Sequence, residues 1–405
     1  MRQINPAIEI PPPMDCSLPG SFAYQSIHDR LPSILDRVLS DHLYDEQTMA
    51  ALLDLKQDLS SGRVRHIQPG AHPDPNPWMQ YAEPHLKKRW DELPWFFAET
   101  YFYRRVLEAV NYFNQPAGNR HDPFLPQKLQ AFERSRTSVQ FFARRTLALC
   151  EQNNGDALRE ILLMNLWGNR ADLSLWPSGD ESAAVFRYDL QNPLLIDHTQ
   201  LLETHLQRQS DSASIDIILD NAGLELVGDL CLALYLLETD SARTVRLHPK
   251  ADPTFVSDTT REDILLVLEH LAADSDGSMR ELGANLKTHQ INRRLILHED
   301  PYWNSPLPGW EMPVEVTEFL RNATLVILKG DANYRRLVGD RKWDFSIAFP
   351  LVCGYFPAPL ACLRVLKSEV LIGLAPEQEA QLRDSDPDAF TRGTWGLLQC
   401  LLPDR

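Results

Sequence analysis

Apolar positions along this chain follow two different rhythms. From about residue 27 to 60, Ile27, Leu31, Ile34, Leu35, Val38 and Leu39 fall at three- and four-residue intervals, which predicts helix. Four prolines in QPGAHPDPNPW (68–78) then break any regular element. Helical spacing returns in the aromatic-rich PWFFAETYFYRRVLEAVNYF (94–113) and again over 126–151. Ahead of all this, IPPPMD and a Pro-Gly pair mark the residues up to about 25 as an extended arm. Nothing before about residue 155 alternates as a strand would, so residues 1–150 are expected to form an all-α N-terminal domain.

Short aliphatic runs then take over: IDIIL (215–219), TVRLH (244–248), TFVS (254–257), TLVIL (324–328) and EVLIGL (369–374). Between them lie helical patterns such as LELVGDLCLALYLLE (224–238) and REDILLVLEHLAAD (261–274). Strands alternating with helices predict a mostly parallel sheet covered on both faces. The expected architecture is α/β: a three-layer α/β/α, Rossmann-like domain over residues 151–405, preceded by the helical one. At roughly 150 residues per domain, 405 residues accommodate two such units.

Composition narrows the function. The chain is 43% hydrophobic and 24% charged, which suffices for a large core. Its net charge of -16 repels a phosphate backbone, so nucleic acid is not an expected partner. The same field means that a phosphorylated substrate needs a local cation to receive it. No stretch approaches the roughly 20 apolar residues of a membrane span, and the N-terminus has no apolar signal core. Six scattered cysteines without a CxxC pair fit a reducing cytoplasm better than a disulfide or zinc scaffold. The 12 histidines form no HxH or HxxxH pair. No GxGxxG follows an expected strand, and neither GxxxxGK[ST] nor GxSxG occurs.

Candidate chemistry lies where the strands stop. IDIIL runs into Asp220-Asn221-Ala-Gly, TFVS into Asp258-Thr259-Thr260, and TLVIL into Lys329-Gly330-Asp331. In open parallel sheets the ligand crevice lies beyond the carboxyl ends of the strands, so these groups are expected to meet. Converging carboxylates repel one another unless a cation sits between them. Asp220, Asn221 and Asp258 offer only oxygen, which favours a hard cation, Mg²⁺ or Mn²⁺, over zinc. Lys329, Arg335 and Lys367 are then placed to clamp a phosphate, an arrangement suited to metal-assisted phosphoryl transfer to water. Each string also has an ordinary reading as a helix cap or turn, and only their coincidence at strand ends argues for a site.

Several strings around these residues resemble the damage-control phosphatase family, long catalogued as a domain of unknown function. They are FAETYFYRR (97–105), LWGNRADLSLW (166–176), DNAGLELVGDL (220–230), FVSD (255–258), KGDANYRRLVGDRKW (329–343) and LRVLKSEVLIGL (363–374). The branch they are most similar to carries an Arg-Thr-x-Lys motif and includes the protein-glutamate, or acidic-residue, methyltransferase-like phosphatases. The resemblance implies a helical N-terminal part, an α/β/α catalytic part, and hydrolysis of sugar phosphates such as fructose 1-phosphate in metabolite damage control. It implies a divalent metal, Mn²⁺ or Mg²⁺ with Co²⁺ or Ni²⁺ as further candidates, on Asp220, Asn221 and Asp258. It also implies substrate contacts from Asp331, Asn333, Arg335 and Lys367. Here the branch motif reads Arg364-Val365-Leu366-Lys367, so a hydroxyl is missing at Val365.

Other polar positions rank behind these. Asn169 and Asp172 in WGNRAD would reach a phosphate or sugar hydroxyls, unless Gly-Asn merely ends the preceding helix. Glu225 lies in a first helical turn, where the dipole alone accounts for an acid. In the resembling methyltransferase-like protein that glutamate is tied to methyl-donor binding. Glu99, Arg104 and Arg105 sit on an aromatic helix whose stripe reads as core. His198 and His205 read as surface or packing residues. Two alternative functions stand beside phosphatase: an S-adenosylmethionine-dependent protein carboxyl O-methyltransferase, and a non-catalytic sugar-phosphate-binding protein.

Overall fold

Seven strands make one sheet in the order β1-β7-β6-β5-β2-β3-β4. They are β1 (Ile196–Asp197), β2 (Ser214–Ile218), β3 (Thr244–His248), β4 (Leu295–Leu297), β5 (Leu325–Lys329), β6 (Leu360–Val365) and β7 (Gly396–Leu401). Every pairing is parallel except β6 with β7. The computed structural model describes residues 6–403 apart from 73, 75, 153, 169–193, 210–212 and 387. The α/β class and mostly parallel sheet thus match expectation.

The helices that matter below are α1 (Leu31–Asp41), α2 (Glu46–Ser61), α3 (Trp95–Ala109), α4 (Leu125–Arg134), α5 (Arg136–Gln152), α6 (Gly155–Trp167), α7 (Thr199–Gln207), α8 (Leu224–Glu238), α9 (Arg261–Ala273), α10 (Gly277–Ile291), α11 (Val314–Leu320) and α12 (Asp331–Leu337). Helix α8 is apolar almost all round because it is enclosed between the sheet and α5 and α6. With α9 and α10 these form the core on one sheet face. On the other face Tyr302, Trp303, Tyr334 and Phe349 join β5 and β6 side chains. A third, aromatic core belongs to residues 16–124. Helix α5, although it begins within the first 150 residues, packs against α8 and α10 in the core of the sheet domain. The helical pattern at 126–151 is two helices, divided at Ser135, whose hydroxyl donates to the Ala131 and Phe132 carbonyls at 3.0 and 2.9 Å.

Two expected strands are absent. TFVS is a turn in which Phe255 and Val256 adopt φ of +47° and +64°. Their side chains pack instead against the aromatic N-terminal core, with the Phe255 ring 5.1 Å from Tyr103. EVLIGL is irregular: Val370, Leu371, Ile372 and Leu374 are buried in the second core around Gly373 at φ +81°, so packing replaces ladder bonding. The neighbouring run LACLRV is the strand β6 instead.

The order of the strands places the site. From β2 the chain steps outward to β3 and β4, then returns to β5 on the other side of β2 and proceeds to β6. The crevice between β2 and β5 is therefore the topological switch point, where open α/β sheets bind ligands. Ile218 stands in register with His248 of β3 and Leu328 of β5, so the loops leaving these three strands start level.

Candidate active site

Asp220 and Asn221 follow β2 directly. The turn after β3 runs back along them: the Thr259 N–H donates to the Asp220 carbonyl at 2.8 Å, the Ala222 N–H to the Ser257 carbonyl at 2.6 Å, and Asn221 bridges Asp258 as in an antiparallel pair. Asp258 therefore lies beside the Asp-Asn pair although no strand leads to it. Gly330, at the end of β5, has φ +81° and ψ 176°, a region essentially reserved for glycine. A Cβ there would stand 2.6 Å from the Asp220 Cβ and closer still to its carboxylate. The absence of a side chain at 330 lets Asp220 occupy the switch point.

Behind the aspartates stands a chain of buried polar contacts. Asn221 Nδ2 donates to Asp220 Oδ2 and to Glu225 Oε2, each at 2.8 Å, while its Oδ1 accepts from the Ser257 hydroxyl at 2.6 Å. Glu225 lies 3.7 Å from the Lys329 ammonium, which donates to Asp229 Oδ1 at 2.8 Å. Asn165 Nδ2 donates to the same Asp229 oxygen at 2.6 Å. On the other side, Lys250 Nζ is 3.5 Å from Asp258 Oδ2 and donates to Asn333 Oδ1 at 2.9 Å. Asn333 Nδ2 donates to the carbonyls of Leu219 and Lys329, both at 2.9 Å, tying the ends of β2 and β5 together.

These contacts leave an electrostatic deficit. In this linked group four carboxylates face two ammoniums, a formal excess of two negative charges that Lys367, Arg336 and Lys128 temper from further off. Burial, then Glu225 and Asp258, push the Asp220 carboxyl well above the usual range. Burial raises Asp258 to about 6, opposed by Lys250. Burial likewise raises Asp229, against the pull of Lys329. Asp220 Oδ1 and Asp258 Oδ2 are buried without a hydrogen-bond partner. Two buried carboxylate oxygens without a hydrogen bond, the second facing Lys250 at 3.5 Å, are donors that fit a hard cation. Among the described residues there is no cluster of three or more His, Cys, Asp or Glu that could hold a metal, and the further oxygen beside the two carboxylates belongs to the amide of Asn221. In the present hydrogen-bond pattern that amide turns nitrogen to the carboxylates; exchanging its ends would turn the oxygen inward.

The remaining candidates divide into those at the mouth and those in the framework. Lys367 has an exposed side chain with no ion pair among the described residues, and its charge reaches Asp220. Its backbone N–H donates to Asp331 Oδ1 at 3.1 Å. That carboxylate also accepts from Arg364 Nε and Nη2 at 2.9 and 2.7 Å and from the Ser368 hydroxyl at 3.1 Å. Burial would raise Asp331, but Arg364 and Arg335 hold it below the ordinary range. Asp331 thus organises the Arg364–Ser368 loop. Val365 is buried in the first core, away from this loop's polar contacts. Arg335 stacks on Trp95 with its Cζ 3.5 Å from the ring centroid, donates to Asp340 and Glu99 at 2.7 Å each, and leaves Nη2 unpartnered. Glu99 also receives Arg30, so the aromatic helix α3 does reach the site framework.

Arg104 and Arg105 do not face the site: the first pairs with Asp74, the second with Asp58 and Glu108. His198 Nδ1 accepts from the Cys400 N–H, and His205 contacts the Thr324 carbonyl. Asn169 and Asp172 lie outside the described residues. Sequence reasoning missed Lys250, Asp229, Asn165 and the steric role of Gly330. Lys250 follows β3 by two residues, so the strand-end argument applied to TVRLH would have reached it. Asp229 was visible as a carboxylate inside an otherwise apolar helix.

The profile of the damage-control phosphatase ARMT1-like domain matches residues 26–382. The damage-control phosphatase ARMT1 of Mus musculus is 33% identical, over 94% of this chain and 96% of its own. The Danio rerio protein of that name is 31% identical over 98% of both chains, and the Homo sapiens protein 33% over 94% and 96%. A solved DUF89 family protein from Pyrococcus horikoshii overlays with a TM-score of 0.47 at 16% identity, covering 88% of this chain and 94% of that one. That likeness is too loose to bear on the site.

Proposed function

This chain belongs to the damage-control phosphatase ARMT1-like family, and from that membership we propose that it hydrolyses phosphate monoesters of small sugar phosphates such as fructose 1-phosphate, using one divalent metal, Mn²⁺ or Mg²⁺. Asp220 and Asp258 would hold the ion through their unpartnered oxygens, with Asn221 as the neutral third donor. Bound there, the ion would neutralise the buried deficit and polarise the phosphoryl group.

The chain's own residues do the rest. Glu225, 3.7 Å from Lys329, holds the Asn221 amide in its metal-free orientation, from which the amide would turn its oxygen to the ion, and the Lys329–Asp229 pair anchors that arrangement to α8. This revises the expectation that Lys329 clamps phosphate, because its ammonium is already committed. Arg335 Nη2 and the exposed Lys367 remain as cations for phosphate oxygens. Asp220 has one free oxygen, which would serve either the ion or direct attack on phosphorus. A substrate chiral at phosphorus distinguishes the two: a single displacement by water inverts the configuration, whereas two displacements through an aspartyl-phosphate retain it.

The observation that carries this reading is the pair of orphaned aspartate oxygens at the switch point. The test is phosphate release from p-nitrophenyl phosphate and fructose 1-phosphate across Mg²⁺, Mn²⁺, Co²⁺ and Ni²⁺. Turnover should require metal, stop with EDTA, and be lost in Asp220→Ala and Asp258→Asn. Undiminished turnover in both variants would remove these residues from the reaction.

A further inference from the structure

Of the lysines at the switch point, one is spent and one is not. Lys329 is hydrogen-bonded to Asp229 at 2.8 Å and stands 3.7 Å from Glu225, so two carboxylates absorb its charge. By strand parity it shares a face with Leu325 and Ile327, which points it into the first core and away from the crevice. Lys250 differs. Its one hydrogen bond goes to a neutral oxygen, Asn333 Oδ1, and its only carboxylate neighbour within ion-pair range among the described residues is Asp258 at 3.5 Å, beyond a good hydrogen bond. An ammonium carries three N–H donors, so at least one has no acceptor among the described residues.

The position of Lys250 is also over-determined. Both hydrogens of the Asn333 amide are taken by the Leu219 and Lys329 carbonyls, which settles that amide's orientation and presents its oxygen to Lys250. The Lys250 backbone N–H donates to the Thr259 carbonyl at 2.8 Å, next to Asp258. Two neighbouring elements thus hold a buried ammonium at the edge of the orphaned aspartate oxygens. That is the preorganisation a developing negative charge requires.

We propose that Lys250 is the lysine that meets the phosphoryl oxygens in this site, supplying fixed positive charge through its uncommitted N–H. No bond to Nζ forms or breaks. The inference rests on the phosphatase reading above and deepens it.

The test compares Lys250→Met with Lys329→Met in the full chain, reading folding by circular dichroism, Mn²⁺ binding and inorganic phosphate binding by calorimetry, and turnover of p-nitrophenyl phosphate. Lys250→Met should bind Mn²⁺ at least as tightly as the parent, because a cation beside Asp258 is gone. It should lose phosphate affinity, and kcat/KM on the order of 100-fold. Lys329→Met should instead lose Mn²⁺ affinity, because Glu225 and Asn221 lose their anchor. If Lys250→Met fails to fold, Lys250→Gln keeps donors toward Asn333 and Asp258 without the charge, and should lose phosphate binding in the same way. Phosphate binding and turnover within about 3-fold of the parent, or Mn²⁺ affinity falling in step with turnover, would overturn the assignment. Lys250-dependent phosphate binding in a parent that turns nothing over would retain Lys250 and discard the phosphatase reading. A parent that neither binds phosphate nor turns over would discard both.

Discussion

Replacing Gly330 by alanine perturbs the site without adding or removing a charged group. The backbone there, at φ +81° and ψ 176°, costs a non-glycine residue about 1–3 kcal/mol. The added methyl must also displace the Asp220 carboxylate, since its carbon would lie 2.6 Å from the Asp220 Cβ and nearer to Cγ and Oδ2. Forcing one methyl into a packed site costs about 1–3 kcal/mol more. Gly330→Ala should therefore destabilise the chain by about 2–6 kcal/mol and weaken Mn²⁺ binding on the order of 100-fold, as for a misplaced ligand. Gly20 provides the control, because it too has a positive φ, +85°, but a Cβ there meets nothing within 4 Å. Gly20→Ala should pay only the backbone term and leave metal binding unchanged. Urea unfolding and Mn²⁺ calorimetry on the three proteins decide the matter. If Gly330→Ala bound Mn²⁺ like the parent, the close approach of Asp220 to this turn would have no bearing on the site.

Asp258 titrates near 6 in the fold against an ordinary 3.8, so the stability it contributes is complete below about pH 4 and is lost as pH rises through 6. EDTA-stripped protein should thus lose about 3 kcal/mol relative to Asp258→Asn between pH 4 and 7, and saturating Mn²⁺ should remove the difference in a thermal or urea series. Arg364→Lys keeps the charge but cannot fork onto Asp331. It should cost about 2–4 kcal/mol and raise KM more than it lowers kcat, because the loop carrying Lys367 loosens. Lys128 is buried between Asp122 and Asp263 at 2.8 and 2.7 Å; Lys128→Met should cost about 3–5 kcal/mol by urea unfolding, and adding Asp263→Asn should cost less than the sum of the single changes.

Where the sequence was legible, the physics was local. IDIIL and TLVIL are enclosed by helices on both faces and read as continuous apolar runs, and the groups after them lie at the switch point. Strand TVRLH was equally plain, and Lys250 lies two residues beyond its end. TFVS and EVLIGL have strand composition, but their apolar side chains are claimed by tertiary clusters, and no local pattern distinguishes burial in a ladder from burial in a loop. Strands β1 and β4 hold two and three residues, too few for any period to show. Strand β7, GLLQCL, gives no alternation because its neighbours cover both faces. The commitment of Lys329 to Asp229 was harder still, since it joins residues 100 positions apart. Parity along β5 would have given the direction of that side chain, though not its partner.

The Phe255–Val256 turn has a thermodynamic consequence. Those two side chains are wedged into the aromatic cluster of the N-terminal helices, while Asp258 just after them bridges Asn221 in the proposed metal site. Linkage is reciprocal, so whatever free energy an ion gains by gripping Asp258 is shared with the docking of α3 onto the sheet domain. Amide protons of α3, far from any donor atom, should exchange more slowly once Mn²⁺ is added. On the proposed function, the helical part would thus share in the ion's binding energy through this turn without supplying a donor atom.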